Sequence, residues 1–254
     1  MIRDCRAGRP EGWSYFLTQY VPVIRGFLGH YYPDRVGDQA LIERVLVTLR
    51  KAESSLFQSL DPAPERAFVA ELRQHVLSAV EADRASAAPD VSIEIEALGT
   101  AFETLTLTEK LVVWFDTMRY GAADTGRMLR MSPETADKIR ARGAELVRGS
   151  VDAWRSTLLQ DNGPLLGRAA SALTTKNCLL PKAFFDVIDG RATWSGREEM
   201  ERHVKGCWHC MDRYCRLLEV VDVLRGAKPL GEAEVEVYKR LLGVETPKRS
   251  FWKR

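Results

Sequence analysis

The segment HVKGCWHC, residues 203–210, combines metal-binding side chains at a helical spacing. Three residues separate His203 from Cys207, and two residues separate Cys207 from Cys210. Residues three and four apart lie about one turn apart on a helix, so all three side chains can point at one ion. Imidazole and thiolate are the ligands that structural zinc sites use. The segment therefore predicts three ligands of a metal site.

A fourth ligand must come from another part of the chain, because structural zinc sites bind the ion through four side chains. Cys178 is the predicted source. Residues 179–202 read as a helix, a turn at Asp189-Gly190 and a second helix that begins near Ser195. Such a hairpin brings the chain back to its starting point. The sequence predicts one Zn²⁺ bound by Cys178, His203, Cys207 and Cys210.

Other interpretations of these residues stay open. Cysteine is small and apolar and can simply fill a helical core, with a histidine on the surface beside it. His209 and Cys215 are near enough in sequence to replace a ligand or to serve as a resolving thiol. A zinc hydrolase is disfavoured, because catalytic zinc keeps an open position and usually takes His and carboxylate ligands. The chain also shows no phosphate-binding glycine loop and no Ser-His-Asp arrangement, so we do not expect an enzyme.

Composition narrows the class of protein. The chain has 254 residues, 45% hydrophobic and 28% charged, which is typical of a globular protein. A formal net charge of only +2 means that any nucleic-acid site must depend on local clusters. The first residues lack the apolar core of a signal peptide, no run of apolar residues is long enough to span a membrane, and Cys5 is expected in a mobile start. Five cysteines, mostly in the last third, favour a metal or redox site in the cytoplasm.

The spacing of apolar residues predicts an all-α fold. In 13–27, 41–49 and 68–80 they recur at three- and four-residue steps, which places them on one face of each of three helices. Small and polar residues at 85–92 and 160–171 predict linkers. The last predicted helix, from Glu232 to Leu242, precedes a basic tail.

Residues 120–147 have the pattern of a helix-turn-helix. A short helix is followed by a brief turn, and then by Ser132 as N-cap and Pro133 at the first position of a long helix. In a DNA-binding helix-turn-helix this second helix enters the major groove. The predicted DNA-contacting residues are Thr135, Lys138, Arg140 and Arg142. Four basic side chains against three acidic ones in 132–148 leave a charge of +1, so a solvated amphipathic helix is the alternative.

The metal-binding segment resembles the zinc-binding anti-sigma domain of bacteria. The matching pieces are Cys178, FFDVIDG, SGREEMERH, and Cys207 with Cys210, and the resemblance covers about residues 174–225. It implies a small helical domain whose last helix packs against sigma-factor domains. In some members of that family, oxidation of the site expels zinc and frees the sigma factor.

The first two-thirds of the chain resemble extracytoplasmic-function (ECF) sigma factors. Residues 13–84 are similar to the second conserved region of that family, and residues 98–155 are similar to the fourth region. The segment DQALIERVLVTLRK looks like the helix that binds core RNA polymerase. The resemblance implies promoter DNA and core RNA polymerase as partners, with the polymerase contacts at Asp38, Leu41 and Glu43.

The chain departs from the sigma-factor pattern at three places. The acidic cluster of the polymerase-binding helix is reduced to Asp38 and Glu43, with Ala40 where an acid is common. The third helix ends in EADRASAAPD instead of a basic run. Arg130 stands in the turn where the family usually has glycine, which accepts a left-handed backbone at low cost. These departures favour the alternative of a sigma-derived interaction protein that senses metal or redox state without promoter activity.

The predicted domains follow the order of these segments. They are a sigma region-two-like bundle at 1–86, a linker at 87–97, a region-four-like helix-turn-helix domain at 98–158, a linker at 159–173, a zinc-binding domain at 174–225, and a C-terminal helix and tail at 226–254. The leading hypothesis is an ECF-type sigma factor inhibited by an intramolecular contact with its own zinc-binding domain.

Overall fold

A computed structural model describes residues 1–32, 37–51, 65–84, 95, 99, 102–150 and 163–244 of the chain. All regular secondary structure in these residues is helical, which confirms the all-α prediction. None of the helices described is long and apolar enough to cross a membrane. Trp154, where the sequence suggested an end for the long second helix, lies outside these residues, as do nearly all of the predicted linker at 87–97 and the basic tail.

The helices have the following bounds in chain order. They are α1 Ile2–Arg6, α2 Pro10–Tyr31, α3 Gln39–Arg50, α4 Glu65–Arg84, α5 Leu107–Thr117, α6 Ala122–Leu129, α7 Pro133–Ser150, α8 Gly163–Ala172, α9 Pro181–Ile188, α10 Trp194–Gly206, α11 Trp208–Gly226 and α12 Glu232–Leu241. The chain forms two compact units, one of Met1–Ala88 with Val223–Arg254 and one of Pro89–Asp222.

The first unit is built around α2, which packs against α3, α4 and α12. Its core contains aromatic side chains at helical spacing, and Phe68 of α4 meets Phe16 and Tyr20 edge to face.

The start of the chain belongs to this core. Cys5 is only 4% exposed, and its carbonyl accepts a hydrogen bond of 3.1 Å from the indole of Trp13. The expectation of a mobile start at Cys5 is therefore wrong, because the short helix α1 packs on α2.

The C-terminal helix α12 is also part of the first unit. The amide of Leu230 donates to the carbonyl of Thr18 over 2.8 Å. Arg25 forms an ion pair of 3.0 Å with Glu234, and the hydroxyl of Tyr238 donates to Oε1 of Gln39 over 3.0 Å. These contacts attach α12 to both α2 and α3, so the predicted C-terminal helix is part of the helical bundle of the first unit.

The second unit contains a group of three helices, α5 to α7. Thr106 and Glu109 form a capping box at the start of α5. Helix α6 ends at Arg130, whose φ of 58° and ψ of 46° lie in the left-handed region, and Ser132 then caps α7 through the amide of Thr135. Arg130 thus adopts a left-handed backbone conformation, which glycine accepts at lower cost than any other residue.

Helices α8, α9 and α10, with α11 as far as Asp222, form the rest of the second unit. Part of the predicted linker at 159–173 is helical, because Leu166 and Ala170, four residues apart on α8, are fully buried. Helices α9 and α10 form the predicted hairpin, with Gly190 at a φ of 70° in the turn between them. Helix α10 packs on α5. The predicted metal ligands and the helices of the predicted DNA-binding domain therefore belong to one compact unit.

Candidate metal centre

The structure brings the four predicted ligands together. The ligand atoms of Cys178, His203, Cys207 and Cys210 all lie within 4.8 Å of one another. The Sγ atoms of Cys178 and Cys207 are 3.9 Å apart, and two thiolates on a tetrahedral zinc ion are about 3.8 Å apart, given Zn–S bonds of about 2.3 Å. Nε2 of His203 lies 3.2 Å from Sγ of Cys210. The group has the donor set and the size to hold a metal ion.

Helix ends position these four side chains. His203 lies in the last turn of α10, Cys207 is the C-cap of that helix, and Cys210 lies in the first turn of α11. The break in helical geometry at Cys207, with a φ of −128° and a ψ of 110°, separates the two helices. Cys178 arrives from the segment before α9, as the hairpin interpretation predicted. The amide of Leu179, next to it, donates to Sγ of Cys210 over 3.4 Å.

Local hydrogen bonds favour ionisation of one thiol, whereas burial opposes ionisation of another. Burial raises the pKa of Cys178, but the amide and hydroxyl of Thr175 outweigh that effect and hold the pKa at about 7. Burial raises the pKa of Cys210 to about 12, against the opposing hydrogen bond from the amide of Leu179. A thiolate is the ligand form of cysteine, so binding of a cation here releases protons.

His209 and Cys215, the two alternative ligands, lie outside the four-residue group. Nδ1 of His209 is 3.1 Å from the carbonyl of Ser171, so this side chain joins α11 to the end of α8. Cys215 is fully buried in α11. Both residues therefore have packing roles in the second unit.

Buried polar contacts join the metal-binding turn to α5, and the sequence did not reveal them. The indole of Trp114 donates to Oδ1 of Asp212 over 3.2 Å, and Asp212 also forms an ion pair with Arg216. The ring of Trp208, which lies between the ligands Cys207 and Cys210, has its centroid 5.8 Å from that of Trp114. The sequence interpretation of Trp114 as a core residue agrees with its complete burial, but its partner could not be identified.

A second contact lies farther along α11. Arg127 of α6 donates to both carboxylate oxygens of Asp222, each over 2.7 Å, and also pairs with Asp124 at 2.7 Å. The Asp222 side chain is 10% exposed. A bidentate bond between guanidinium and carboxylate fixes orientation as well as distance. The α6–α7 helix pair is thereby attached to α11.

The predicted DNA-contacting residues all lie on α7, but not on one face. Thr135, Lys138 and Arg142 follow each other at steps of three and four residues. Arg140 is displaced by about 140° from Thr135 around the helix and pairs with Asp137 at 2.6 Å. Arg142 pairs with Glu109 of α5 at 3.1 Å. Both arginines are therefore engaged within the second unit.

The predicted polymerase contacts include two residues with structural roles in the first unit. Asp38 is the N-cap of α3 and accepts a hydrogen bond of 3.0 Å from the amide of Leu41. Leu41 has no exposed surface, because the apolar face of α3 lies against the core. A side chain without exposed surface cannot contact a partner in this fold, so Leu41 does not fit its predicted role. Glu43 is half-buried.

Comparison of the chain with models of protein families, with curated proteins and with solved structures found no match in any of the three. The resemblance to sigma factors and to the zinc-binding anti-sigma domain stays a prediction from the sequence motifs.

Proposed function

We propose that the chain is an ECF-type sigma factor that directs RNA polymerase to promoters and is held inactive by its own metal-binding helices. The observation that carries this proposal is the packing of α10 and α11 with α5 to α7 in one unit. The pair Trp114–Asp212 and the pair Arg127–Asp222 connect the two groups of helices. Helices α6 and α7, which would read DNA in this proposal, are bonded to α11 and so have restricted freedom to reach a promoter.

The position of α12 supports the same mechanism in the first unit. In the proposal, α3 contacts core RNA polymerase. Tyr238 and Glu234 of α12 bind Gln39 and Arg25, at the start of α3 and in α2. Release of α12 would therefore uncover a surface shared by the two helices that resemble the sigma-factor region two.

Zinc is the proposed ion, and its role is structural. Four protein ligands leave no open position for a reacting water molecule, so we propose that the chain is not an enzyme. A bound ion would hold Cys178 against the α10–α11 turn and keep that turn in the shape in which it contacts α5. Oxidation or chelation would release the turn, because a fold organised by a metal is lost with its ligands. The proposed working place is the cytoplasm, with core RNA polymerase and promoter DNA as partners.

A second candidate is a sigma-derived interaction protein without promoter activity. The ion pairs of Arg140 and Arg142 favour it, because these side chains would have to leave Asp137 and Glu109 to reach DNA. The burial of Leu41 favours it also, since it removes one predicted polymerase contact. Such a protein would respond to metal or redox state and bind a different partner.

Binding of core RNA polymerase to the full chain tests the proposal. We expect weak binding for the zinc-loaded wild type, stronger binding for Asp222→Arg, which repels Arg127, and restored weak binding for the charge-swapped Arg127→Asp/Asp222→Arg chain. Promoter-dependent transcription should follow the same order. Absence of polymerase binding in all three chains, each still helical, would replace the sigma-factor proposal by the interaction-protein candidate.

A further inference from the structure

The second unit contains a pocket beside the metal ligand Cys207. Its volume is about 390 Å³, within the range of about 300–1,000 Å³ typical of small-molecule sites. The residues that the argument uses are Phe102, Lys110, Lys205, Trp208 and Met211. They come from α5, the segment before it and the α10–α11 turn. The pocket is therefore formed where the metal-binding turn faces α5.

One side of the pocket is aromatic. The ring centroids of Phe102 and Trp208 are 4.8 Å apart, with an angle of 55° between the ring planes. Phe102 is 1% exposed, whereas Trp208 is half-buried and keeps part of its indole accessible. Met211 adds a polarisable thioether to the lining. Flat apolar rings bind well to such surfaces, since aromatic groups prefer offset or edge contacts with one another.

The pocket also contains a buried cation. Lys110 is 7% exposed, and its Nζ donates one hydrogen bond of 2.8 Å to the carbonyl of Lys205. Among the residues that the structure describes, this ammonium forms no ion pair, although it has three N–H groups to donate. Burial lowers the pKa of Lys110 and the charge of Lys205 lowers it further, whereas the charge of Glu103 raises it. A buried cation without a direct ion pair is unfavourable, so an anion that bonds to it would be stabilised.

Other charged groups lie around Lys110 at the pocket. Lys205 is exposed at the rim, and Glu103 is the acidic residue of the lining. Arg202 also lines the pocket, but it pairs with Glu198 at 3.1 Å on its own helix. Outside the ion pairs of the described residues, the charged lining side chains are two lysines and one glutamate, and a Zn²⁺ ion bound by three thiolates and a neutral imidazole would add one negative charge beside Cys207. The attraction for an anion therefore comes from direct hydrogen bonds with the buried Lys110.

We propose that this pocket binds a small aromatic carboxylate. The carboxylate accepts hydrogen bonds from Nζ of Lys110, and the aromatic ring packs against the accessible part of the Trp208 indole, which the buried ring of Phe102 supports. The proposal of this binding site rests on the pocket and is independent of the proposed sigma-factor activity. Because Lys110 belongs to α5 and Trp208 to α11, a bound ligand adds a contact between these two helices and stabilises the second unit by mass action.

Calorimetric titration of the full chain, prepared with Zn²⁺, tests the site with naphthalene-2-carboxylate as the probe. We expect saturable binding, and binding at least about tenfold weaker for 2-naphthamide, which has the same ring without the charge, because hydrogen bonds to charged groups exceed neutral ones. Acetate and inorganic phosphate, which lack the ring, should also bind at least about tenfold more weakly. Equal affinities for the carboxylate and the amide, or for the carboxylate and acetate, would overturn the proposal.

Two variants locate the site. Lys110→Met keeps the length of the side chain without its charge, and we expect it to weaken carboxylate binding at least about tenfold while affinity for the amide stays within about twofold. The control is Lys182→Met on α9, where the lysine is exposed and pairs with Asp186. Unchanged carboxylate affinity in a helical Lys110→Met chain would show that the ligand binds elsewhere, for instance at the metal, and would also overturn the proposal. The amide comparison in the wild type remains decisive if Lys110→Met does not fold.

Discussion

The indole N–H of Trp114 donates a hydrogen bond of 3.2 Å to Oδ1 of Asp212, which follows the candidate metal ligand Cys210 by two residues. Asp212 is 1% exposed, and its other carboxylate oxygen pairs with Arg216. A carboxylate that is buried with both partners in place is stable, whereas removal of one partner leaves an unsatisfied group. The α10–α11 turn, which carries the candidate ligands Cys207 and Cys210, is therefore held against α5 by a contact whose loss would destabilise the fold.

Substitution of Asp212 should strongly destabilise the second unit. Asp212→Ala removes the carboxylate partner of Arg216, whose guanidinium keeps its hydrogen bond to the carbonyl of Gly167, and leaves the indole N–H of Trp114 without its acceptor, at an expected cost of about 2–4 kcal/mol. Denaturant unfolding followed by tryptophan fluorescence and circular dichroism measures the change. Glu198→Gln is the matched control, because its pair with Arg202 is exposed and contributes less than about 1 kcal/mol. A loss of similar size in both variants would contradict the role assigned to Asp212.

The purified chain should bind one Zn²⁺ through Cys178, His203, Cys207 and Cys210. We expect Cys207→Ser and Cys210→Ser to lower zinc content well below one ion per chain, because the alcohol is a much weaker ligand than a thiolate. Elemental analysis after dialysis measures the ion. Cys5→Ala is the control, since Cys5 belongs to the other unit. Full retention of zinc by both serine variants would exclude this set of ligands.

Replacement of Arg130 by glycine should stabilise the chain. Arg130 has a φ of 58°, where a side chain is strained and glycine is not. We expect Arg130→Gly to raise the free energy of unfolding by about 0.5–1 kcal/mol and Arg130→Val to lower it, since a branched β-carbon is least tolerated in the left-handed region. Denaturant midpoints compare the three chains. Destabilisation by the glycine variant would mean that the Arg130 side chain makes contacts that outweigh the strain.

Stability of the first unit should decrease as the pH falls from about 7 to 5. Burial lowers the pKa of His75 below its usual value of 6.5, against a hydrogen bond with the backbone of Val45. A lowered pKa in the folded state means that the unfolded chain binds the proton more readily. The stabilisation is therefore present above pH 6.5 and is lost as the pH falls toward the folded-state pKa.

The variant His75→Gln separates this effect from other acid-sensitive groups. Glutamine keeps a polar group at the position and does not titrate, so the difference in thermal midpoint between the wild type and the variant should shrink or reverse below pH 6. Thermal melts at several pH values measure it. A pH-independent difference between the two chains would show that His75 does not titrate with folding.

The local pattern of the sequence predicts much of this structure. Apolar steps of three and four residues predict helices, because such residues share one helix face whatever the tertiary fold. The spacing of His203, Cys207 and Cys210 is also a short-range pattern that can be recognised in the sequence. The turn at Asp189-Gly190 identified the hairpin that returns the chain to Cys178. Arg130 was identified as a departure within the turn, and the structure shows that it takes the left-handed conformation itself.

Tertiary packing alone decides the contacts that give these elements their roles. Trp114 and Asp212 are 98 residues apart in the chain, and Lys110 meets the carbonyl of Lys205 from 95 residues away. Burial of Lys110 turns a lysine that looks like a surface residue into a cation inside a pocket, and burial of Leu41 removes it from a predicted interface. Periodicity tells which face of a helix is apolar, but not which helix will cover it. Partners and burial therefore depend on how distant segments meet, which only the folded chain determines.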